Sequence, residues 1–294
     1  MSNLTFVVTH GAEVLFPLRD DAILIWLSNG PSPKGLPNQI IRAYEMYSAP
    51  EDLHRRMSGS MGTKAAYEYV NSLVDKPERV TIASYRKFNC KTGYGLPNWH
   101  FRRIPASSYL GMQIIDPTTP NPVPPFPSGI DEDFVVSTPR RFPEIMTQFA
   151  NRHKLEYLLL LVTAGIHTGG LTRDEGLRAL KEQRFIPGGI ELGTFPYDFW
   201  HASMGRMLKA VDYYFEHFHK EVSSRTEQVR DVSFAMERFG SFLINDHLDR
   251  LHTNQTIKQD PFGHIHTVFN DPVNRRNLVE RLFFRQKLKM RRYR

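Results

Sequence analysis

Apolar residues come in short β-branched runs in the first third of the chain and at helical spacing in its second half. Leu4-Thr-Phe-Val-Val-Thr-His10 closes on Thr9, His10 and Gly11, which predicts a first strand with a polar end. Ala22 to Leu27 predicts a second strand, and Ser28-Asn-Gly-Pro-Ser-Pro-Lys-Gly35 a loop after it. In Arg79-Val-Thr-Ile-Ala-Ser-Tyr-Arg-Lys-Phe88, the stretch Val80 to Ser84 is β-branched or small, as in a strand buried on both faces. It runs straight into Tyr85, Arg86 and Lys87.

From Asn38 to Val74 the spacing turns helical, with Ile41, Tyr44 and Met46 early and Ala66, Tyr69, Val70 and Leu73 later. Gly59-Ser-Met-Gly62 interrupts it, as a bend between helices, as the start of the helix through Ala65 to Leu73, or as a place where backbone comes close to a ligand, and it lacks the Gly-Lys-Ser/Thr ending of a Walker loop. Eight prolines between Asn89 and Gly129 predict a stiff extended loop without long regular elements. Within it, Trp99-His-Phe-Arg-Arg103 interleaves aromatics with cations, a pattern that either stacks on a base or sugar or packs the loop onto the body.

Phe134 to Val136 predicts another short strand, Pro143 to His153 a helix start, and Arg173 to Lys181 a charged helix. Phe185 to Trp200 reads as a glycine-rich strand or turn that opens a helix carrying Met207, Leu208, Val211, Phe215 and Phe218. Val232 to Leu251 predicts a further helix with Glu237-Arg238 inside it. From Asn274, Leu278, Val279, Leu282 and Phe283 share one face among many arginines and lysines, as in a basic amphipathic helix that lies on an anionic membrane. The organisation expected is a main domain over 1–273 and a basic amphipathic tail over 274–294.

With 294 residues, 40% hydrophobic and 23% charged, the chain is long and apolar enough for a substantial core, which argues against general disorder. One cysteine, Cys90, cannot form an intramolecular disulfide, as expected in a reducing compartment. The first ten residues lack the pattern of a signal peptide, and the longest apolar run, Tyr157 to Ala164, is too short to span a bilayer. A cytoplasmic protein is expected, peripheral on the inner membrane if the tail binds lipid. The formal charge of +7 favours anionic partners, without choosing among nucleotides, nucleic acid and membrane.

A buried strand that delivers Tyr85, Arg86 and Lys87 at its carboxyl end either delivers them to the crevice where open α/β sheets bind ligands, where adjacent cations suit a phosphate or diphosphate, or simply surfaces there. Thr9 and His10, ending the first strand, are expected beside them; His10 either touches a ligand or is a structural histidine. Asp131-Glu-Asp133 spells Asp-x-Asp, a pair of hard carboxylates suited to Mg²⁺ or Mn²⁺, although it precedes an apolar strand instead of following one. His264 and His266 would face the same way on an extended segment and are the other metal candidates. For a catalytic base the carboxylates to weigh are Glu237, which inside an apolar helix must pair with a cation or serve a site, and Asp198, which otherwise caps the helix after it.

Tyr85-Arg-Lys-Phe88 at a strand end, the Phe185 to Leu208 stretch with its Gly-Ile-Glu-Leu, and Ala235-Met-Glu-Arg-Phe-Gly-Ser-Phe-Leu243 together resemble the bacterial glycosyltransferase-like family of unknown function found among capsule and cell-surface polysaccharide genes. The resemblance covers about half the chain, in pieces. It implies an α/β fold with a GT-A-like, Rossmann-type sheet flanked by helices and a helical C-terminal part. It also implies a nucleotide-sugar donor held by Tyr85, Arg86, Lys87 and the late-helix Arg238, and a glycan or lipid-linked acceptor. The long proline-rich loop and the segment from His153 to Arg184 depart from the family's pattern. The function expected is transfer of a sugar from a nucleotide-diphosphate donor to a cell-surface polysaccharide or lipid-linked acceptor, with no specific nucleic acid involved. Two alternatives stand beside it: a nucleic-acid-binding protein using the basic tail, and a catalytically inactive partner in polysaccharide assembly.

Overall fold

The computed structural model describes residues 3–34, 38–102, 112–119, 123–126, 134–218, 230–253, 260–277 and 280–281. Its centre is a sheet that takes the chain's apolar runs in a doubly wound order. The strands are β1 (Asn3–Thr9), β2 (Ile23–Trp26), β3 (Ile40–Arg42), β4 (Arg79–Ser84), β5 (Lys87–Cys90), β6 (Leu96–Pro97), β7 (Met112–Ile115), β8 (Val136–Ser137), β9 (Arg140–Arg141), β10 (Arg184–Phe185), β11 (Gly193–Pro196) and β12 (Phe262–Val268). The main sheet runs β3-β2-β1-β4-β5-β12-β7-β6, with β11 also paired to β4 and β8 to β12. Strands β1 to β4 are mutually parallel where they pair, while β5 and β11 run antiparallel to β4.

The chain lays β2 and β3 on one side of β1 and then returns to place β4 on the other. Strand order therefore reverses between β1 and β4, and the crevice beyond their carboxyl ends is where open α/β sheets bind ligands.

The helices are α1 (Pro50–Met57), α2 (Ser60–Ser72), α3 (Ile145–Ala150), α4 (Leu155–His167), α5 (Arg173–Lys181), α6 (Tyr197–His217) and α7 (Asp231–Thr253). In α6 the residues Trp200, Met204, Met207, Leu208, Val211 and Tyr214 recur at helical spacing and are buried, which seats this helix in the main core. At α5 a capping box holds the start, with the Thr172 hydroxyl accepting from the Glu175 N–H and the Glu175 carboxylate accepting from the Thr172 N–H. Helix α2 lies on β1 through Gly62, where an added Cβ would sit 2.4 Å from Val8 Cγ1.

Several expectations need correction. The helical pattern expected from Asn38 begins only at Pro50, because Ile40–Arg42 pairs with β2 as an edge strand. The proline-rich region holds no long element among its described residues, only the end of β5 and the short strands β6 and β7. Phe101 is buried with Met112, Ile114, Leu192 and Ile265, and Arg102 pairs with Glu280, so the aromatic-basic cluster packs against the body as far as it is described. At the start of the tail, Arg275 bridges to Phe101 and the Arg276 N–H donates to the His100 carbonyl. Leu278, Val279 and residues 282–294, which carry the amphipathic pattern, lie outside the described residues, as do Asp131 and Asp133. Among the described residues no helix is long and apolar enough to cross a membrane.

Candidate functional site

A cavity of about 240 Å³ opens beyond the ends of β1 and β4. Its walls come from five places: Val8 and His10 at β1, Ala83, Ser84 and Lys87 at β4 and β5, Gly59 to Thr63 at the start of α2, the turn Gly188–Leu192, and Ser233, Phe234 and Glu237 on α7. Residues 75 or more positions apart in sequence thus meet at the reversal in strand order.

Tyr85 and Arg86 form a two-residue turn, so that Lys87 starts the next strand opposite Ser84 instead of ending β4. The backbone of Tyr85 still continues the sheet, its N–H donating to the Val8 carbonyl. The Tyr85 ring stands edge-on to His10, centroids 6.2 Å apart, and Arg86 lies over the Tyr85 ring at 5.4 Å. The ammonium of Lys87 is half-buried at the cavity wall. Burial lowers its pKa from the usual lysine range, the nearby Glu237 carboxylate opposes that, and Arg86 adds to it.

Helices α2 and α7 both point their amino ends here, and Ser60 Oγ and Ser233 Oγ lie 3.2 Å apart across the gap. Aligned peptide dipoles place partial positive charge at both ends, which favours an anion between them. On α7, one oxygen of Glu237 accepts the Gly188 N–H at 2.8 Å and the other accepts from Arg238 at 2.6 Å, which fixes the carboxylate at the cavity wall. Gly188 has φ +87, a left-handed conformation that aims its N–H at Glu237.

Glu191 also lines the cavity and was not among the carboxylates singled out from the sequence. It sits in a 3-10 turn, Gly189–Glu191, held by the Trp200 indole N–H donating to the Ile190 carbonyl at 3.2 Å and the Asn89 amide donating to the Leu192 carbonyl at 2.8 Å. Gly189 and Gly240 let this turn press on α7, since a Cβ on either would lie within 2.7 Å or 2.9 Å of main-chain atoms. Burial pushes the Glu191 carboxyl up to about 8, a hydrogen bond from Ser60 works the other way, and the charge of Glu237 adds to the rise. Glu191 Oε1 is shut off from water and has no hydrogen-bond partner. The signal was an acid flanked by apolar Ile190 and Leu192, obscured by the glycines around it.

Three proposed residues are placed elsewhere. Asp198 is exposed in the first turn of α6, after β11, whose Pro196 pairs with Arg79 at the start of β4. It therefore lies at the opposite end of β4 from Lys87, roughly 20 Å away at the rise of a strand, and serves the α6 start instead of this cavity. Arg238 is buried and does not line the cavity, giving its hydrogen bonds to Gln148, the Phe234 carbonyl and Glu237 and stacking 4.4 Å from the Phe185 ring. Thr9 is buried and its hydroxyl closes a turn by donating to the Ala12 carbonyl at 2.6 Å. It lines a second cavity of about 460 Å³ on the other side of the β1 end, walled by Phe16, Leu18, Leu24 and Trp26.

The donor set at the first cavity does not fit a divalent cation. Arg86 and Lys87 stand after the strand, where an Asp-x-Asp pair would hold the metal, and among the described residues no group of three or more acids, histidines and cysteines is placed to hold an ion. His264 and His266 are on β12, two strands away from β4, and line neither cavity. His266 is fully buried, stacked on Phe88 at 4.7 Å, with Nε2 accepting the Tyr94 N–H at 2.9 Å. It serves the core.

The reversed strand order and a cavity beyond the strand ends define a Rossmann-type α/β protein, with a central sheet flanked by helices and a helical C-terminal part. No protein-family model matches the sequence, and no curated protein matches it. Among solved structures, the apo structure of the WbbM bifunctional glycosyltransferase is similar: it aligns over 95% of this chain at 8% identity with a TM-score of 0.54. The chain spans 48% of that protein's length. The likeness is one of fold, and it fits the GT-A-like sheet expected from the sequence.

Proposed function

We propose that the chain is a glycosyltransferase that takes a sugar from a nucleotide-diphosphate donor and passes it to a hydroxyl of a cell-surface glycan or lipid-linked acceptor. The observation that carries this is the convergence of Lys87, His10 and Glu237 with the amino ends of α2 and α7 in one cavity at the β1–β4 reversal. In the transfer, the acceptor oxygen bonds to the anomeric carbon as the bond from that carbon to the diphosphate oxygen breaks. Lys87, with Arg86 at the rim and the two helix ends, stabilises the charge growing on the departing diphosphate. Glu237, held by Gly188 and Arg238, takes the acceptor's proton.

The larger cavity beside Thr9 has room for the nucleoside, with Phe16, Leu24 and Trp26 to receive the base and Glu13, Asp20 and Lys34 among its polar walls. A nucleotide lying across the β1 end would then place its base at Trp26 and its diphosphate at Lys87. The basic tail over 274–294 is assigned to an anionic membrane surface that brings a lipid-linked acceptor near.

The test is a thermal-shift panel of nucleoside diphosphates and nucleotide sugars, with and without Mn²⁺, because a ligand selective for the folded state raises the melting temperature. Stabilisation that Lys87→Ala abolishes supports the reading, and a flat panel refutes it. Donor binding without turnover on any glycan acceptor would instead assign the chain as an inactive partner in assembly.

A further inference from the structure

We propose that Glu191 is a ligand-binding residue of the β1–β4 cavity that works as a neutral carboxylic acid, donating a hydrogen bond to an oxygen of the bound diphosphate. The proposal rests on the donor reading above and adds a residue and a protonation state to it.

Glu191 lines the cavity, and of its two carboxyl oxygens Oε1 is closed to water and has no partner. A buried carboxylate oxygen without a partner is costly when it carries charge, which favours the protonated acid. Apart from Glu237, the charged and dipolar walls of the cavity favour an anion: Lys87, with Arg86 next to it in sequence, and the first turns of α2 and α7. An ionised Glu191 would set a second negative charge beside that of Glu237, against the phosphate as well as against its neighbour. The protonated acid turns the carboxyl at the cavity from a repelling group into a donor. Burial and the charge of Glu237 hold the proton on at neutral pH. The turn that carries Glu191 is fixed at Ile190 by Trp200 and at Leu192 by Asn89, which keeps the carboxyl from swinging out to water.

The groups facing Glu191 are Ser60 on α2, Glu237 on α7, and Lys87 and His10 across the cavity. Of these, Lys87 also loses charge as pH rises. That loss is common to wild type and to variants at position 191, so comparison of the two isolates the acid.

The experiment is calorimetric titration of the full chain with UDP, GDP, CDP and inorganic pyrophosphate between about pH 6 and about pH 9.5. Wild-type affinity is expected to fall by up to about tenfold per pH unit above about 8, beyond the loss seen in Glu191→Gln. Glu191→Gln, whose amide still donates, is expected to bind as tightly as wild type at pH 7 and to lack this extra fall. Glu191→Ala is expected to bind more weakly at pH 7, with thermal melts verifying that both variants fold. Superimposable pH profiles for wild type and Glu191→Gln would overturn the proposal, as would undiminished binding in Glu191→Ala. A Glu191→Gln defect confined to nucleotide sugars would also overturn it, by assigning Glu191 to a sugar hydroxyl. If no diphosphate binds wild type at any pH, the donor reading itself fails, an outcome distinct from binding that ignores position 191.

Discussion

Nδ1 of His10 lies 2.8 Å from Nε2 of His54, and the other ring nitrogen of His54 lies 2.7 Å from the Tyr44 hydroxyl. A single hydrogen bridges the two imidazoles, so both rings cannot carry full charge without breaking the contact. Loss of water around its ring, then His54, Arg230 and Arg86, lower the pKa of His10, and burial and Arg230 lower that of His54. In NMR titrations both rings should therefore protonate below the ordinary histidine value of 6.5. In His54→Ala the His10 midpoint should rise towards that value while remaining under it. A His10 midpoint unmoved by the substitution would show that the pair does not couple.

Lys87 and Asp198 should separate cleanly in binding experiments. Lys87→Ala removes the cation of the cavity and should weaken nucleoside diphosphate binding by at least roughly tenfold, the usual effect of losing a charged hydrogen bond. Asp198→Asn, at the far end of β4, should leave that affinity unchanged. Equal losses in the two variants would move the site away from the β1–β4 crevice.

Acid should destabilise the chain through its buried histidines. Burial, and next the neighbouring His264, push His266 down to about 3, below its ordinary value of 6.5. The unfolded chain then binds the proton first, so this contribution is complete above the ordinary value and is lost as pH falls towards 3. Between pH 6.5 and pH 5 the loss should be about 2 kcal/mol. His266→Phe should melt lower at pH 7, having lost the bond from Tyr94, and show a flatter decline on acidification. Parallel declines in denaturant midpoint would place the acid sensitivity elsewhere.

Gly62→Ala should cost about 1–3 kcal/mol, the range for overpacking a close contact. The added Cβ would meet Val8 Cγ1 at 2.4 Å and Cγ2 at 2.8 Å. Because the clash is with one side chain, the double variant with Val8→Ala should recover part of the loss, and a coupling energy near zero in urea denaturation would contradict the contact.

The parallel strands and the cations after Ser84 were legible because β-branched runs and strand-end charge are local patterns. What the sequence hid was direction. Two residues, Tyr85 and Arg86, suffice to reverse the chain, which put Lys87 on β5. Strand β11 runs back along β4, which carried Asp198 away from the cavity although Glu191, seven positions earlier, lines it. Arg238 looked like a donor ligand beside Glu237, yet neighbours in a helix point to different sides, and its guanidinium faces Phe185. Ile40–Arg42 read as helix because a three-residue edge strand is too short to show its own period.

Where the Gly189–Glu191 turn meets α7, the main chains pack closely: a Cβ on Gly189 would meet the Glu237 carbonyl oxygen at 2.7 Å, and one on Gly240 the Ile190 nitrogen at 2.9 Å. The separation of the backbones that carry Glu191 and Glu237 is thereby set by main-chain packing at two glycines. Sequence drift on the outer face of α7 leaves that gauge intact, whereas a single methyl at either glycine would widen it and spread the two acids around whatever they hold.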